Sequence, residues 1–419
     1  MKPTGRRTFL RQSSGILVGL SAGLPLSVKS QERIEPHAVN ARHYLQEILY
    51  TTAEVDDWLA GRAFPFSKYH ARYGWLLNNA RFRDGIDNSY SIYTYSGEDG
   101  ERQMSNYRES PCRINTYGDS FTQCHQVSDH ETWQEILAAH LQEPVRNFGV
   151  GGWSVYQSYL RMLGEEQRSP AEYIIFNIYE DDHKRNLDAW RNIRVRKHPQ
   201  HIEAPLPHIS VNLNKKSFTE HENPCPTKES LYDLCDLEKS LNLFADDFVL
   251  NIMLAHRNAE SKNPAAGYTD FLTLARTHGI NTRVDDSLTL EREAERMHRE
   301  AALFSSLNLL ERIRDFIDSH QKKILFVLSY SPKSIAQFLE TGEGFDRRFI
   351  DALDKYNLPY TDLLAAHVDD FKKYRIDIKT YLDQYFIGHY NPRGNHFCAL
   401  AMKDTLVRLL EPKPLAYRA

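Results

Sequence analysis

Cysteine is scarce in this sequence and is not arranged in metal-binding pairs. The 419 residues contain 5 cysteines, at positions 112, 124, 225, 235 and 398. No two of them are separated by two residues, which excludes the spacing of a zinc ribbon or a thioredoxin-like redox site. The odd number leaves at least one thiol unpaired. We therefore expect neither a cysteine-bound metal nor a disulfide-dense scaffold.

The sequence also lacks a basic excess and a membrane-length apolar run. Its formal net charge is −4, which gives nucleic acid no bulk electrostatic attraction. The N-terminal apolar run, 15–26, would span only about 18 Å as a helix, too short for a bilayer core of about 30 Å. We expect no nucleic-acid partner and no transmembrane anchor.

The first thirty residues are different in character from the rest of the chain. The stretch "MKPTGRRTFLRQ" is basic and holds the pair Arg6-Arg7 before the short apolar run. This layout is typical of a signal peptide, and the arginine pair resembles that of twin-arginine (Tat) signals. We predict that 1–30 is a Tat-like signal and that the Tat machinery exports the folded chain. The exported protein is expected to be periplasmic or secreted. Cys225 and Cys235 are candidates for a disulfide after export, although folding in a reducing compartment opposes it.

The remaining chain predicts an α/β fold with two additions. Segment 31–110 predicts a helix at 41–61 followed by short strands and turns. Strands and helices alternate in 111–186 and again in 291–412, which indicates a parallel sheet covered on both faces. Between these parts, 187–290 predicts an insertion. It contains a strand pair at "HISVNL" and "KSFTEH", a helix near 237–256 and a polar loop over 257–287.

Polar residues suited to acyl transfer fall at the predicted strand ends. Ser120 follows the first strand, a glycine-rich turn ending at Gly152 follows the second, and Asp181 follows the third. His389 lies late in the chain, just before the last helix. Because the carboxyl ends of parallel strands share one edge, these groups should meet there as nucleophile, oxyanion-binding turn and base.

Three motifs resemble those of the SGNH (GDSL-type) hydrolases. Gly118-Asp119-Ser120 matches the first family block, "NFGVGG" (147–152) the second, and His389 with Asn391 and Gly394 the last. The resemblance implies a three-layer α/β/α, flavodoxin-like parallel sheet. It also implies Ser120 as nucleophile, His389 as base, and the backbone N–H groups of Ser120 and Gly152 as oxyanion donors. His396 is the competing histidine.

Two positions depart from the family pattern. The third block has an Asn, where counting along the chain places Asp181. We expect Asp181 to replace that oxyanion donor as a neutral acid, or else to pair with Lys184 or Arg185. The triad acid normally precedes the His by two or three residues, which are apolar here. The nearest acid is Asp383, so either Asp383 completes a triad or a Ser-His dyad operates.

These observations predict a serine-dependent ester hydrolase that acts in the periplasm on an O-acylated substrate. We expect this substrate to be an acetylated carbohydrate, and we expect no cofactor and no metal. A periplasmic polysaccharide O-acetyltransferase would use the same Ser and His. A non-catalytic carbohydrate-binding relative would explain both departures. A metal-dependent hydrolase built on the "EDDH" stretch (180–183) is a further alternative.

Overall fold

The computed structural model describes residues 41–63, 65–97, 100–197, 202–260, 265–342, 344 and 347–418. The predicted signal segment, 1–30, lies outside these residues. Within the described ranges, no helix combines the length and the apolarity needed to cross a membrane.

Strands and helices alternate through most of the described chain. The strands are, in chain order, β1 (Ser67–His70), β2 (Gly74–Leu77), β3 (Ala80–Phe82), β4 (Ser91–Tyr93), β5 (Ile114–Tyr117), β6 (Arg146–Asn147), β7 (Tyr173–Tyr179), β8 (His208–Asn212), β9 (Ser217–His221), β10 (Lys323–Ser329) and β11 (Tyr360–Asp362). The α-helices are, in chain order, α1 (Ala41–Gln46), α2 (Thr52–Leu59), α3 (Ser120–Gln123), α4 (Trp133–Leu141), α5 (Val155–Arg168), α6 (Asp182–Arg185), α7 (Asn192–Val195), α8 (Leu237–Phe244), α9 (Phe248–Ala259), α10 (Ala265–Thr277), α11 (Ser287–Ser319), α12 (Pro332–Thr341), α13 (Arg347–Lys355), α14 (Leu363–Phe371), α15 (Ile378–Leu382) and α16 (Pro392–Leu409).

A five-stranded parallel sheet forms the centre of the fold. Its strands lie in the order β11-β10-β7-β5-β6, and each neighbouring pair is parallel. Numbered among themselves and read from the β6 edge, these strands have the order 2-1-3-4-5, which is the flavodoxin-like order. The predicted α/β fold with a parallel, flavodoxin-like sheet is confirmed.

The central strands are buried and largely apolar because helices flank the sheet. In β7, "YIIFNIY", every residue except the last is buried, and in β10, "KILFVLS", every residue after Lys323 is buried. Helix α5 contacts β5, whereas α16 contacts β10 and β11. Burying an Ile, Leu or Phe side chain fully stabilises the fold by about 1.5–3 kcal/mol. Continuous apolar strands of this kind suit a sheet covered on both faces.

The segment before the sheet departs from the prediction at one point. A single helix was expected at 41–61, but α1 ends at Gln46 and α2 begins after Thr51. Thr51 and Glu54 form a capping box, in which each side chain accepts from the other's backbone N–H. Such a box starts a new helix inside the predicted one. The expected short strands are present as two antiparallel pairs, β1–β2 and β3–β4.

Segment 187–290 confirms one prediction and corrects two. The strand pair is the antiparallel hairpin β8–β9, with His208 opposite His221. The helix expected near 237–256 is divided into α8 and α9, and the stretch expected to be a loop contains α10. Helix α10 buries Phe271 and Ala275 against Ile252 of α9 in a small separate cluster. Together with Tyr268 and Leu272, these positions have the i, i+3, i+4, i+7 spacing of an amphipathic helix, which the expectation of a loop overlooked.

Candidate active site

The turn after β5 holds Ser120 at the carboxyl edge of the sheet. Ser120 is the first residue of α3, and the Asp119 carboxylate caps this helix by accepting from the backbone N–H of Phe121 at 2.9 Å. Gly118 has φ +153°, and a Cβ there would lie 2.2 Å from Oγ1 of Thr122. The turn therefore requires glycine before the Asp-Ser pair.

His389 reaches Ser120 from the loop between α15 and α16. Its Nε2 atom lies 2.8 Å from Oγ of Ser120, a hydrogen-bond distance suited to a nucleophile and its base. The same hydroxyl is 3.2 Å from Oδ2 of Asp119, a longer contact. The competing His396 lies within α16, with its ring 6.3 Å from that of His140. The structure thus brings Ser120 and His389 together.

Asp383 does not contact His389, so the prediction that it completes a triad is wrong. Asp383 ends α15, pairs with Lys379 one helical turn earlier, and has a side chain that is 60% exposed. Phe386 and Tyr390 pair across a narrow turn and stack their rings. His389 lies within this turn, whereas Asp383 lies at the exposed C-terminal end of α15.

The Nδ1 atom of His389 faces an amide instead of a carboxylate. It lies 3.2 Å from Oε1 of Gln126, and the backbone N–H of His389 donates to the same oxygen at 2.8 Å. Gln126 follows α3 in the chain and is half-buried. The base is therefore oriented by a neutral group.

The glycine-rich turn after β6 lies against α3. A Cβ on Gly149 would be 2.2 Å from the backbone nitrogen of Gln123, so only glycine allows this approach. Oε1 of Gln123 accepts from the N–H of Gly151 at 2.9 Å, and the indole of Trp75 donates to the Gly151 carbonyl at 3.1 Å. Gly152 has φ +83°. These contacts fix the turn on both sides.

The glycine-rich turn lies close to the nucleophile. A Cβ on Gly151 would lie 3.6 Å from Cβ of Ser120. The N–H of Ser120, as the first in α3, has no carbonyl partner within the helix. Gly152 lines the same cavity as Ser120.

Asp181 is an ionised carboxylate between two arginines, and the expectation of a neutral acid is wrong. Arg194 donates to both of its oxygens at 2.9 and 3.0 Å, and Nε of Arg185 donates at 2.9 Å. Burial alone would raise the pKa of Asp181, but Arg194 and Arg185 together lower it well below its usual range. Without a proton, Asp181 cannot donate to an oxyanion. The alternative expectation, pairing with Arg185, matches the structure.

Arg185 connects the nucleophile's turn to this acidic stretch. Its Nη1 atom lies 3.2 Å from Asp119, 2.8 Å from Asp182 and 3.1 Å from the carbonyl of Trp153. Burial, together with repulsion from Asp119, raises the pKa of Asp182 well above its usual range. Among the described residues, no group of three or more His, Cys, Asp and Glu side chains is arranged to hold a metal ion.

A cavity of about 510 Å³ opens in front of Ser120 and His389. Its apolar wall is formed by Phe66, Trp75, Leu77, Phe121, Tyr179 and Ile202. At the polar end, Arg191 and Glu203 form an ion pair at 3.4 Å. A Cβ on Gly152 would lie 2.6 Å from Nη1 of Arg191, so this arginine stands directly against the glycine turn.

A second cavity, of about 480 Å³, adjoins the first and shares Tyr179 and Arg185 with it. Its other lining residues are mostly charged or hydroxylated, including Lys184, Arg299 and Ser331. The nucleophile thus has an apolar cavity in front of it and a polar one close by.

His389 is neutral at neutral pH and is therefore able to accept a proton. Burial lowers its pKa well below the usual range, and repulsion from His125 and Arg185 adds to this effect. The rings of His125 and His389 meet edge to face at 5.0 Å. Burial also lowers the pKa of His125 to about 4, so it too is uncharged at pH 7.

Several residues at the site were not identified from sequence: Gln126, Gln123, Trp75, Arg191 and Glu203. Their positions carry no periodic or motif signal, and they come from three separate segments of the chain. Arg185 was considered only as a partner of Asp181. The closeness of Gln126 to the GDS block is the one feature that could have suggested it.

No family model matches the sequence, and no curated protein matches it. Two solved structures are similar to it in part. One is a member of the lipolytic protein G-D-S-L family from Veillonella parvula DSM 2008, with 11% identity, a TM-score of 0.33, and coverage of 70% of this chain and 98% of that one. The other is a lipolytic protein of the G-D-S-L family from Desulfitobacterium hafniense DCB-2, with 10% identity, a TM-score of 0.30, and coverage of 70% and 97%.

Proposed function

We propose that this protein is a serine-dependent ester hydrolase in which Ser120 is the nucleophile and His389 the general base. The observation that carries the proposal is the 2.8 Å contact between Oγ of Ser120 and Nε2 of His389 at the wall of a cavity. The glycine turn beside them supplies the backbone donors that acyl transfer needs.

The reaction proceeds in two acyl-transfer steps. His389 accepts the Ser120 proton as Oγ attacks the ester carbonyl, and the N–H groups of Ser120 and Gly152 receive the oxyanion. His389 then gives the proton to the leaving alcohol, and the acyl group remains on Ser120. Water attacks this acyl-enzyme in the same way, with its proton passing through His389, and Ser120 is regenerated.

The two adjoining cavities support a substrate with an apolar and a polar part. The apolar wall of the first cavity suits an acyl group, because burying such a group there removes apolar surface from water. The second cavity, lined by charged and hydroxyl groups, suits a leaving alcohol with many hydroxyls. We propose an O-acylated carbohydrate, with acetyl as the first acyl group to test.

Transfer to a second alcohol is a further candidate function, favoured by the same polar cavity. An acceptor sugar seated there could attack the acyl-enzyme in place of water. Product analysis with an acetyl donor and free oligosaccharide distinguishes the two. Free acetate indicates a hydrolase, whereas acetylated oligosaccharide formed at the expense of acetate indicates a transferase.

We also propose that the enzyme works in the periplasm after Tat export. The support is the Arg6-Arg7 pair followed by a short apolar run. Replacing both arginines with lysine should hold the precursor in the cytoplasm, while replacing Lys2 alone should not. Normal recovery of the Arg6-Arg7→Lys-Lys variant from the periplasm would contradict a Tat route.

Labelling with a serine-reactive phosphonate tests the central proposal. The expected result is one adduct that peptide mapping places on Ser120, with no adduct in a folded Ser120→Ala variant. His389→Ala should slow labelling strongly, since no base then activates the hydroxyl. Absence of labelling in the unmodified protein, with carbohydrate still bound, would instead indicate the non-catalytic binding protein.

A further inference from the structure

Gln126 occupies the place beside His389 where a serine triad has its carboxylate. It lies in the loop after α3 with φ +72°, a left-handed conformation that is uncommon for a residue with a side chain. Its backbone N–H donates to the Tyr93 hydroxyl at 2.7 Å. This contact ties the loop to β4 and directs the Gln126 side chain towards His389.

The contacts of the Gln126 amide determine which end faces the histidine. Its nitrogen donates to the carbonyls of Asp84 at 3.1 Å and Ile387 at 3.3 Å. Its oxygen accepts from the backbone N–H of His389 at 2.8 Å. A backbone N–H can only donate and a carbonyl can only accept, so a reversed amide would lose all three hydrogen bonds. The amide oxygen must therefore face His389.

This orientation in turn determines the tautomer of the imidazole. The same amide oxygen lies 3.2 Å from Nδ1 of His389. An oxygen acceptor attracts Nδ1 only when that atom carries the hydrogen. In the neutral ring the lone pair is then on Nε2, the atom 2.8 Å from Oγ of Ser120. The base thus presents its acceptor to the nucleophile before any substrate arrives.

We propose that Gln126 is the positioning residue of this site, and that it replaces the triad carboxylate by selecting the Nδ1–H tautomer of His389 without supplying a charge. The proposal rests on the proposed ester hydrolysis for its kinetic effect. It differs from a bare Ser-His dyad because the second nitrogen has a dedicated acceptor. It differs from a triad because no negative charge stabilises the imidazolium.

The amide of Gln126 packs closely against Gly388. Gly388 has φ +124°, and a Cβ there would be 2.7 Å from Oε1 of Gln126. The rings of Phe121 and His125 face the imidazole from other sides, and Asp119 lies near it through Ser120. Arg185 acts on His389 at longer range, and Asp84 lies behind His125 at 3.6 Å.

The absence of a carboxylate beside Nδ1 of His389 has a consequence for pH dependence. Burial, His125 and Arg185 lower the pKa of His389 well below its usual range. Below that pKa the ring is protonated and cannot act as a base, so kcat/KM should fall only at acidic pH. A carboxylate at position 126 would favour the imidazolium, raise this pKa, and move the acidic fall to higher pH.

Two substitutions separate the acceptor from the rest of the side chain. Gln126→Glu keeps an oxygen towards His389 but loses both amide N–H donors, whereas Gln126→Leu loses the acceptor as well. We expect Gln126→Leu to lower kcat/KM about 100-fold or more, mostly in kcat, because the tautomer is no longer selected. Gln126→Glu should retain or exceed the original rate at pH 8 and shift the acidic limb upward by about one pH unit or more. Gln46→Glu, an exposed position, is the control for an added charge.

The tautomer itself can be measured without any activity. A two-bond ¹H–¹⁵N spectrum of protein labelled at histidine distinguishes the Nδ1–H from the Nε2–H form, and the His389 signals are those lost in His389→Ala. The proposal requires the Nδ1–H form in the original protein and a mixture in Gln126→Leu. An Nε2–H form in the original protein would overturn it. So would a Gln126→Glu variant as impaired as Gln126→Leu at every pH, since both lack the amide donors. Failure of phosphonate to label Ser120 would reject the proposed hydrolysis alone, because the spectrum still reports the tautomer.

Discussion

The two sides of Ser120 differ in the charge of the groups that line them. On the His389 side, the groups in contact are neutral: an amide, a phenylalanine ring and an uncharged His125. On the Asp181 side, carboxylates and guanidinium groups are dense, and Arg185 and Arg194 hold them in paired contacts. Both positions depart from the motifs of the SGNH hydrolases, which the sequence resembles elsewhere. The comparison indicates that the base is contacted by neutral groups only. The buried carboxylates behind the glycine-rich turn are tolerated because they pair with Arg185 and Arg194.

Ser120→Ala removes the hydroxyl that lies between the two sides, and we expect it to have the largest effect on activity. Activity on a short-chain aryl ester should fall by about 10³-fold or more, since no nucleophile remains. The fold should be unaffected, because the hydroxyl makes no contact on which the fold depends. Circular dichroism with kinetic assay checks both. Activity within a few-fold of the original would show that Ser120 is not the nucleophile.

Arg185→Met tests the charge-matched side. It leaves Asp119 and Asp182 without their buried cation, and breaking such a pair costs about 3–5 kcal/mol. The stranded carboxyls would have raised pKa values in the folded state, so the folded protein would bind more protons than the unfolded one. Stability should then rise as pH falls from 7 towards 5.5. Denaturant unfolding at several pH values measures this, and a pH-independent loss would contradict it.

Gly388→Ala tests the neutral side without adding charge. A Cβ would lie 2.7 Å from Oε1 of Gln126, and the backbone φ is +124°. We expect kcat to fall about 10–100-fold as Gln126 shifts away from His389, a misplacement of the supporting group rather than of the nucleophile. Gly342→Ala, with positive φ but nothing within 4 Å, is the matched control for backbone strain. Equal losses in both variants would indicate strain alone.

Asp181→Asn should alter stability but not the pH profile of kcat/KM. Because the folded-state pKa of Asp181 is lowered well below its usual value, the carboxylate contributes stability above its unfolded pKa that is lost as pH falls towards the folded pKa. We expect a loss of about 1–3 kcal/mol at pH 7, measured by denaturant unfolding. A change in the alkaline limb of kcat/KM against pH would instead indicate that Asp181 acts on the oxyanion.

Asp383→Asn should have the smallest effect. The carboxylate is exposed and pairs only with Lys379 among the contacts described, and exposed pairs contribute about 0–1 kcal/mol. Activity should stay within about twofold of the original at every pH. A loss comparable with that of Gln126→Leu would show that Asp383 reaches His389 in solution and would restore the triad.

Residues at strand ends could be identified from sequence because each motif is local. Ser120, Gly152 and His389 each lie in a short block beside an element whose apolar pattern predicts it. Their meeting at one edge follows from the rule that parallel strands share a carboxyl end. The helix expected at 41–61 is divided because a capping box starts a new helix at Thr51. Helix α10 was missed although its apolar residues have helical spacing, because the polar residues around them favoured a loop.

The amino-acid sequence by itself determined the parallel sheet, the nucleophile turn and the loop that carries the base, because apolar runs and glycine turns act over a few residues. Only the tertiary structure decided what supports them. Gln126 and His389 are 263 residues apart, and no pattern in the chain records such a contact. The ionisation state of Asp181 also could not be predicted from the sequence. Its ionisation depends on whether burial or two arginines dominates, and that balance exists only once Arg185 and Arg194 are folded against it.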